Sequence, residues 1–215
     1  MMTYYGRRRT GSFGPYLALV EADAAFTYVE VDKAAGEQRT AAFLALNPKG
    51  RIPVLVLDSG AVLTETAAMM LHIADMFPAA GLLPEPGSDA RARVLRWLVF
   101  SVCEVYEPDL RFSYSQRYTA DPAAADAVRE GARGQWDRGF EILEQAYAET
   151  EGPFLLGPTL SVADLYFPMF LAWHYDTPAL LARSPNLAAM ARAVRARPKL
   201  APVFADQGFD DLGES

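Results

Sequence analysis

Residues 47–75 read NPKGRIPVLVLDSGAVLTETAAMMLHIAD, and the folding of this stretch decides how the rest of the chain is organised. Asn47, Pro48, Lys49 and Gly50 are turn chemistry. The run Ile52 to Leu57 (IPVLVL) is apolar and rich in β-branched residues, as a buried strand requires. Asp58-Ser59-Gly60 reverses the chain, and Ala61-Val62-Leu63 suffices for a return strand. Thr64-Glu65-Thr66 then precedes a helix with Ala67, Met70, Leu71, Ala74 and Phe77 on one side. Pro53 cannot donate to a sheet ladder, so it belongs at a strand's first position, where a cis bond turns the preceding backbone outward. The N–H and C=O of Ile52 are then available to an extended ligand. Glu65 and Thr66, with the free N–H groups of a helix N-terminus, suit the ammonium and carboxylate of an α-amino acid. An ordinary N-cap with a first-turn acid reads the same residues without a ligand.

This pattern resembles the glutathione-binding half of the glutathione S-transferase family. The NPKG turn, Ile52-Pro53, the strand pair, Thr64-Glu65-Thr66 and the helix ending Ile73-Ala74-Asp75 carry the resemblance. It implies that Ile52, before a cis Pro53, pairs through its backbone with the cysteinyl part of glutathione. It implies too that Glu65 and Thr66 bind the γ-glutamyl end.

The 215-residue chain is 51% hydrophobic, ample for a core, yet has no apolar run of the roughly 18 residues a membrane helix needs. The arginines at 7–9 are not followed by the apolar region of a secretory signal. A single cysteine, Cys103, permits no internal disulfide, and a cytoplasmic location is expected. The formal charge of −7 argues against a general nucleic-acid binder, and it means that an anionic ligand needs local positive potential.

Before the turn lie a strand near Thr3-Tyr4-Tyr5, a loop from Gly6 to Gly14, a helix from Pro15 to Ala24, a strand from Phe26 to Val31 and a helical stretch within 33–46. The resulting order is β-α-β-α-β-β-α, a thioredoxin-like arrangement with no C-x-x-C pair for disulfide exchange. Residues 78–88 form a proline- and glycine-rich linker. Beyond it the chain reads as helices: 89 to about 118, kinked or ended by Pro108; 121 to about 150; a central helix opened by a Ser161-x-x-Asp164 cap and bent at Pro168; and two short helices near the C-terminus. The fold class is thus α+β, with a thioredoxin-like domain at 1–78, a linker at 79–88 and an all-helical domain at 89–215. The tail from Asp206 reads as acidic and loose.

The resemblance covers almost the whole chain and is closest to the bacterial beta class, at Tyr4-Tyr5, Pro15, residues 47–50, Trp97-Leu98 and Arg197-Pro198. It implies glutathione as co-substrate, no metal, a small hydrophobic electrophile in a cleft lined by residues such as Phe112, and a homodimer. Beta-class enzymes carry a cysteine where Gly11 stands and a histidine where Tyr106 falls. Without them neither a mixed disulfide at Gly11 nor a near-neutral base at Tyr106 is available. What stays open is a serine-type mechanism, as in other classes of the family, in which a hydroxyl activates the thiol. Lowering a thiol pKa near ~8.5 by roughly 2 units takes about 2.7 kcal/mol, which one hydrogen bond to a charged group, at about 1.5–3 kcal/mol, nearly supplies. Ser12 is the first candidate and Tyr106 the second, with Thr10 and Gly11 beside the bound peptide. A glutathione- or hydrophobic-ligand-binding protein without catalysis is the alternative, and an interaction scaffold a third. Cys103, Trp173 and Tyr175 read as core, and His72 and His174 lack a third partner with metal-ligand spacing.

Overall fold

The computed structural model describes residues 1–209. Its first half follows the expected order: β1 (Met2–Gly6), α1 (Phe13–Glu21), β2 (Phe26–Glu30), α2 (Ala41–Leu46), β3 (Val54–Val56), β4 (Val62–Leu63) and α3 (Thr66–Met76). The strands lie in the order β2-β1-β3-β4. The crossover through α1 lets β1 run parallel to β2, with Met2 opposite Phe26. β3 returns antiparallel to β1, with Tyr5 opposite Val54, and β4 pairs antiparallel with β3 across a turn in which Gly60 has φ 85°. This is a thioredoxin-like mixed sheet. The Ile52–Pro53 bond is cis. The ladder begins only at Val54, since Pro53 offers no N–H, so β3 is shorter than the apolar run 52–57. The stretch 33–46 is α-helical only from Ala41, after a single 3-10 turn at Glu37–Arg39. Gly36, at φ 78°, breaks it, and the Thr40 hydroxyl caps the new start by accepting from the Phe43 N–H.

The second half is helical: α4 (Asp89–Phe100), α5 (Glu107–Ser113), α6 (Ala125–Ala148), α7 (Phe167–Trp173), α8 (Thr177–Arg183), α9 (Pro185–Arg195) and α10 (Ala201–Gln207). Between α4 and α5, residues Ser101–Tyr106 form a widened, π-type turn rather than a break. Pro108 has no N–H, and its ring crowds the carbonyl of Glu104 four residues earlier. Inserting one residue into the turn relieves both problems. The Glu104 carbonyl then lies against α6 at Gly139, where a Cβ would stand 2.3 Å from its oxygen. The inserted residue turns Val102 and Cys103 outward and keeps Ser101 and Val105 buried. Cys103 is therefore exposed, not the buried hydrophobe expected from its neighbours.

The Ser161–Asp164 pair is buried and closed on itself, but no helix starts there. Residues 162–166 form turns, and α7 opens at Phe167 with Pro168 in its first turn, where a missing N–H costs nothing. Asp164 accepts from the Ser161 N–H (2.7 Å) and hydroxyl (2.6 Å), the Tyr147 hydroxyl (2.7 Å) and the Leu155 N–H (2.9 Å). The two halves interlock. Tyr166 packs on Gly14, Phe209 stacks on Phe13 at 4.2 Å, and Arg197 and Lys199 pair with Glu21 and Asp23. Asp206, read as the start of a loose tail, lies in α10 and bonds Arg8 at 2.9 Å; the rest of that tail, from residue 210, falls outside the described residues.

Gly139→Ala is expected to destabilise by about 1–3 kcal/mol, because the clash is with backbone and outweighs alanine's helix preference. Gly131→Ala and Gly134→Ala, on the same helix with open space around the added methyl, are expected to be neutral or to stabilise by up to about 1 kcal/mol. Urea unfolding of the three variants checks the contrast.

A candidate active site between the sheet edge and the helical wall

A cleft of about 950 Å³ lies where the sheet's loops meet α5. Its floor comes from the loop after β1 (Arg9, Thr10, Gly11) and the turn before β3 (Gly50, Arg51, Ile52). Its wall comes from Tyr106, Asp109, Leu110 and Ser113, which recur at i, i+3, i+4 and i+7 and so share one helical face. Tyr114, Arg117, Tyr118 and Trp173 complete it.

Ile52 reaches the cleft, and among the described residues its N–H and C=O have no hydrogen-bond partner. Glu65 precedes α3 with φ 64° and ψ 103°, a conformation costly for a residue with a side chain. Its carboxylate does not cap the helix but turns to Lys49 at 2.5 Å, and that bond holds its pKa below the usual range. Thr66 is the first residue of α3, whose opening N–H groups have no side-chain cap. The simple N-cap reading therefore does not describe this corner. Neither Glu65 nor Thr66 is part of the cleft lining; Glu65 reaches it only through its pair with Lys49, which lines it.

Ser12 is placed differently from the sequence expectation. Its side chain lies beneath the loop, 1% exposed, and is not part of the cleft lining. Its Oγ accepts from the Arg7 N–H (3.2 Å) and shares a bond with the Thr10 hydroxyl (3.0 Å). The Ser12 carbonyl accepts from the buried Tyr4 hydroxyl. Thr10 does line the cleft, but its hydroxyl donates to the Arg7 carbonyl at 2.7 Å. A hydroxyl has one proton, so this pair is occupied in holding the loop's shape.

Gly11 and Tyr106, far apart in sequence, touch. A Cβ on Gly11 would stand 2.8 Å from the Tyr106 hydroxyl oxygen. The phenol thus fills the space that a side chain at 11 would need. Its ring is held between Phe170 and Trp173. Burial, then the charge of Asp109, pushes its pKa up to about 12, so it is a hydrogen-bond donor at neutral pH. Asp109 is 6% exposed and bonded by the Ser113 hydroxyl at 2.9 Å. Burial pushes its carboxyl up to about 6.

Phe112 does not line the cleft. It packs on Trp136 and Tyr175, on the α6 side of α5, because the widened turn gives the cleft face to Tyr106 and Asp109 instead. Trp173, read as core, does line it, whereas Tyr175 bonds Asp137 away from it. Asp109, Ser113 and Arg117 were not anticipated, although the three-residue step from Tyr106 to Asp109 was available in the sequence. No group of three or more His, Cys, Asp or Glu is arranged to hold a metal among the described residues.

Family sequence models described as the N-terminal and C-terminal domains of glutathione S-transferase match residues 1–75 and 108–207. A probable maleylacetoacetate isomerase of Vibrio cholerae is 30% identical over 80% of each chain. The chain belongs to the glutathione S-transferase family. A sphingomonad glutathione S-transferase solved with glutathione is 32% identical, covers 96% of this chain and 98% of its own, and superposes with a TM-score of 0.80. A glutathione transferase homologue from Sulfitobacter, with bound glutathione, is 27% identical over 97% of this chain and 99% of its own, with a TM-score of 0.86. In this family member, Gly11 and Tyr106, the two positions where the sequence departs from the beta-class pattern it resembles, are one steric unit.

Asp109 also gives stability a pH dependence. Its folded pKa, about 6, lies above its unfolded value near ~3.9, so the folded state holds the proton more tightly. Stability is therefore expected to fall as pH rises from about 4 to about 6, by up to about 2–3 kcal/mol. Asp109→Asn is expected to flatten that slope and to be the more stable protein at pH 8, as chemical denaturation at a series of pH values can check.

Proposed function

We propose that the protein is a glutathione transferase in which the Tyr106 hydroxyl stabilises the glutathione thiolate. The observation that carries this reading is the Tyr106 hydroxyl lying where the side chain of residue 11 would be. The beta-class resemblance places at that position a side chain able to meet the glutathione sulfur. The unpaired backbone of Ile52 suits the cysteinyl part, and Glu65 with the uncapped start of α3 suits the γ-glutamyl end. Thr10 and Gly11 frame the sulfur. Ser12, buried and fully engaged, is a positioning residue that keeps the loop in register with β1.

The reaction needs a nucleophilic sulfur at neutral pH. The phenol remains protonated and donates to the thiolate, while nearby cations such as Arg51 add favourable potential. Proton loss from the thiol leaves sulfur with the electron pair that attacks the electrophile held against the α5 wall. Catalysis is favoured over a carrier role by this donor, which has no protein acceptor among the described bonds.

Thiolate absorbance, titrated across pH with glutathione bound, tests the assignment. Tyr106→Phe is expected to raise the bound thiol pKa by about 1–2 units and to lower kcat about tenfold or more. Ser12→Ala is expected to change the thiol pKa less and to act mainly through loop stability. The reverse ranking would return the role to Ser12, and glutathione binding without any thiol shift would favour the carrier.

We also infer a homodimer in a reducing compartment. Val99 (61% exposed) and Val102 (36%) present an apolar strip on the outer face of α4 and the widened turn, beside the exposed thiol of Cys103. Light scattering at micromolar concentration is expected to give twice the chain mass, and Val99→Glu with Val102→Glu to give a monomer.

A further inference from the structure

The chain is acidic overall, at −7, yet its cleft is lined by six cations (Arg9, Lys33, Arg39, Lys49, Arg51 and Arg117) and a single carboxylate, Asp109. Lys49 is neutralised by Glu65, and Asp109 is buried against Ser113 rather than against a cation. Glutathione with an ionised thiol brings two carboxylates, a thiolate and an ammonium. With Glu65 and Asp109 each counted once, the six cations and the ammonium face five negative charges and leave two positive charges unmatched. One of them is on the electrophile's side. Arg117 is the cation of the helical wall, has no carboxylate partner among the described residues, and lies over the Tyr114 ring at 4.1 Å. Tyr114 and Tyr118 stand 37% and 42% exposed beside it, and Trp173 closes the same wall. Lys33, on the opposite side, is held below its usual pKa by burial and by the charges of Arg7 and Arg117. Cations of the two walls thus repel one another across the cleft, and an anion between them relieves that repulsion.

Resting on the glutathione reading, we propose that the second substrate is an anionic electrophile: an aromatic or unsaturated compound whose own carboxylate is bound by Arg117 while its planar body lies on the tyrosines. A purely apolar electrophile would leave the unmatched cations without partners. The same tyrosine–arginine stack that presents Arg117 offers a flat face to a conjugated ring.

A matched pair of probes tests this: 4-chloro-3,5-dinitrobenzoate and its methyl ester. With either, the glutathione sulfur forms a bond to the ring carbon as the C–Cl bond breaks. Chloride leaves with the electron pair, and the thiol proton passes to solvent. After correction for the uncatalysed rates, kcat/KM is expected to favour the carboxylate at least tenfold at low ionic strength. That preference is expected to shrink with added salt and to fall about tenfold in Arg117→Met. Calorimetric binding of the two glutathione conjugates gives a readout that needs no turnover, and the carboxylate conjugate is expected to bind about tenfold more tightly. Equal binding and equal turnover of acid and ester, or a preference that survives Arg117→Met, would overturn the anionic substrate while leaving glutathione chemistry intact. If neither conjugate nor glutathione itself binds, the glutathione reading fails and this inference falls with it.

Discussion

Pro108 sets the geometry on which the cleft depends. An α-helix running through it would need an N–H that proline lacks, aimed at the Glu104 carbonyl. The chain answers with one extra residue in the turn Ser101–Tyr106. One residue is about 100° of helix rotation, so everything beyond the turn presents a different face from the one α4 established. That rotation puts Tyr106, Asp109, Leu110 and Ser113 toward the sheet edge and sends Phe112 to the α6 side. The displaced carbonyl of Glu104 is accepted only because residue 139 has no side chain. Widened turns of this kind often mark functional sites. Here the physical reason is visible: the turn aims the helical wall of the cleft.

Two buried aspartates show how the same side chain can serve opposite ends. Asp164 accepts four hydrogen bonds, from Ser161 twice, Tyr147 and Leu155, and ties the loop before α7 to α6. Losing any partner there would leave a buried charge under-satisfied, so the cluster is structural. Asp109 accepts one, from Ser113, and lies beside open space lined by cations it does not contact. A carboxyl kept that poor in partners costs stability above its pKa. Such a group makes sense next to a cleft, where a ligand changes its surroundings.

Much of the fold was legible because it is written locally. The strand runs, the Asp58-Ser59-Gly60 reversal, Pro53 at a strand start and the prolines that open helices act over a few residues. What escaped was set by partners far along the chain. Pro108 announced an irregular helix, but a widened turn rather than a break depends on Gly139, on another helix. Ser12 sits in the right loop, yet its side-chain direction is fixed by Arg7 and Thr10 from below. Gly11 and Tyr106 were each conspicuous alone, and their contact across 95 positions belongs to tertiary structure. Phe112 and Trp173 exchanged roles, cleft for core, because an apolar residue at helical spacing fits either side until the helix phase is known. Glu65 carried its positive φ with no sequence mark at all.

In the proposed mechanism a phenol takes the place of a cysteine–histidine pair, and the electrostatics of the cleft bear on how it would do so. Cations beside a tyrosine favour its ionised form, and Arg51 acts in that sense on Tyr106. Burial between Phe170 and Trp173 outweighs them, with Asp109 adding to it, so the proton stays on the oxygen. An ionised phenol would repel a thiolate, whereas a neutral one donates to it. The arginines are then left to act on the ligand rather than on the tyrosine. Their potential would favour the charged form of a sulfur bound there, and in a partly dry cleft such long-range interactions are less screened than at the surface. Asp109 thus works in two directions: it destabilises the fold when ionised, and its charge adds to burial in holding the proton on Tyr106. On the proposed mechanism, a site arranged this way would trade some stability for a sulfur that is charged and a phenol that is not.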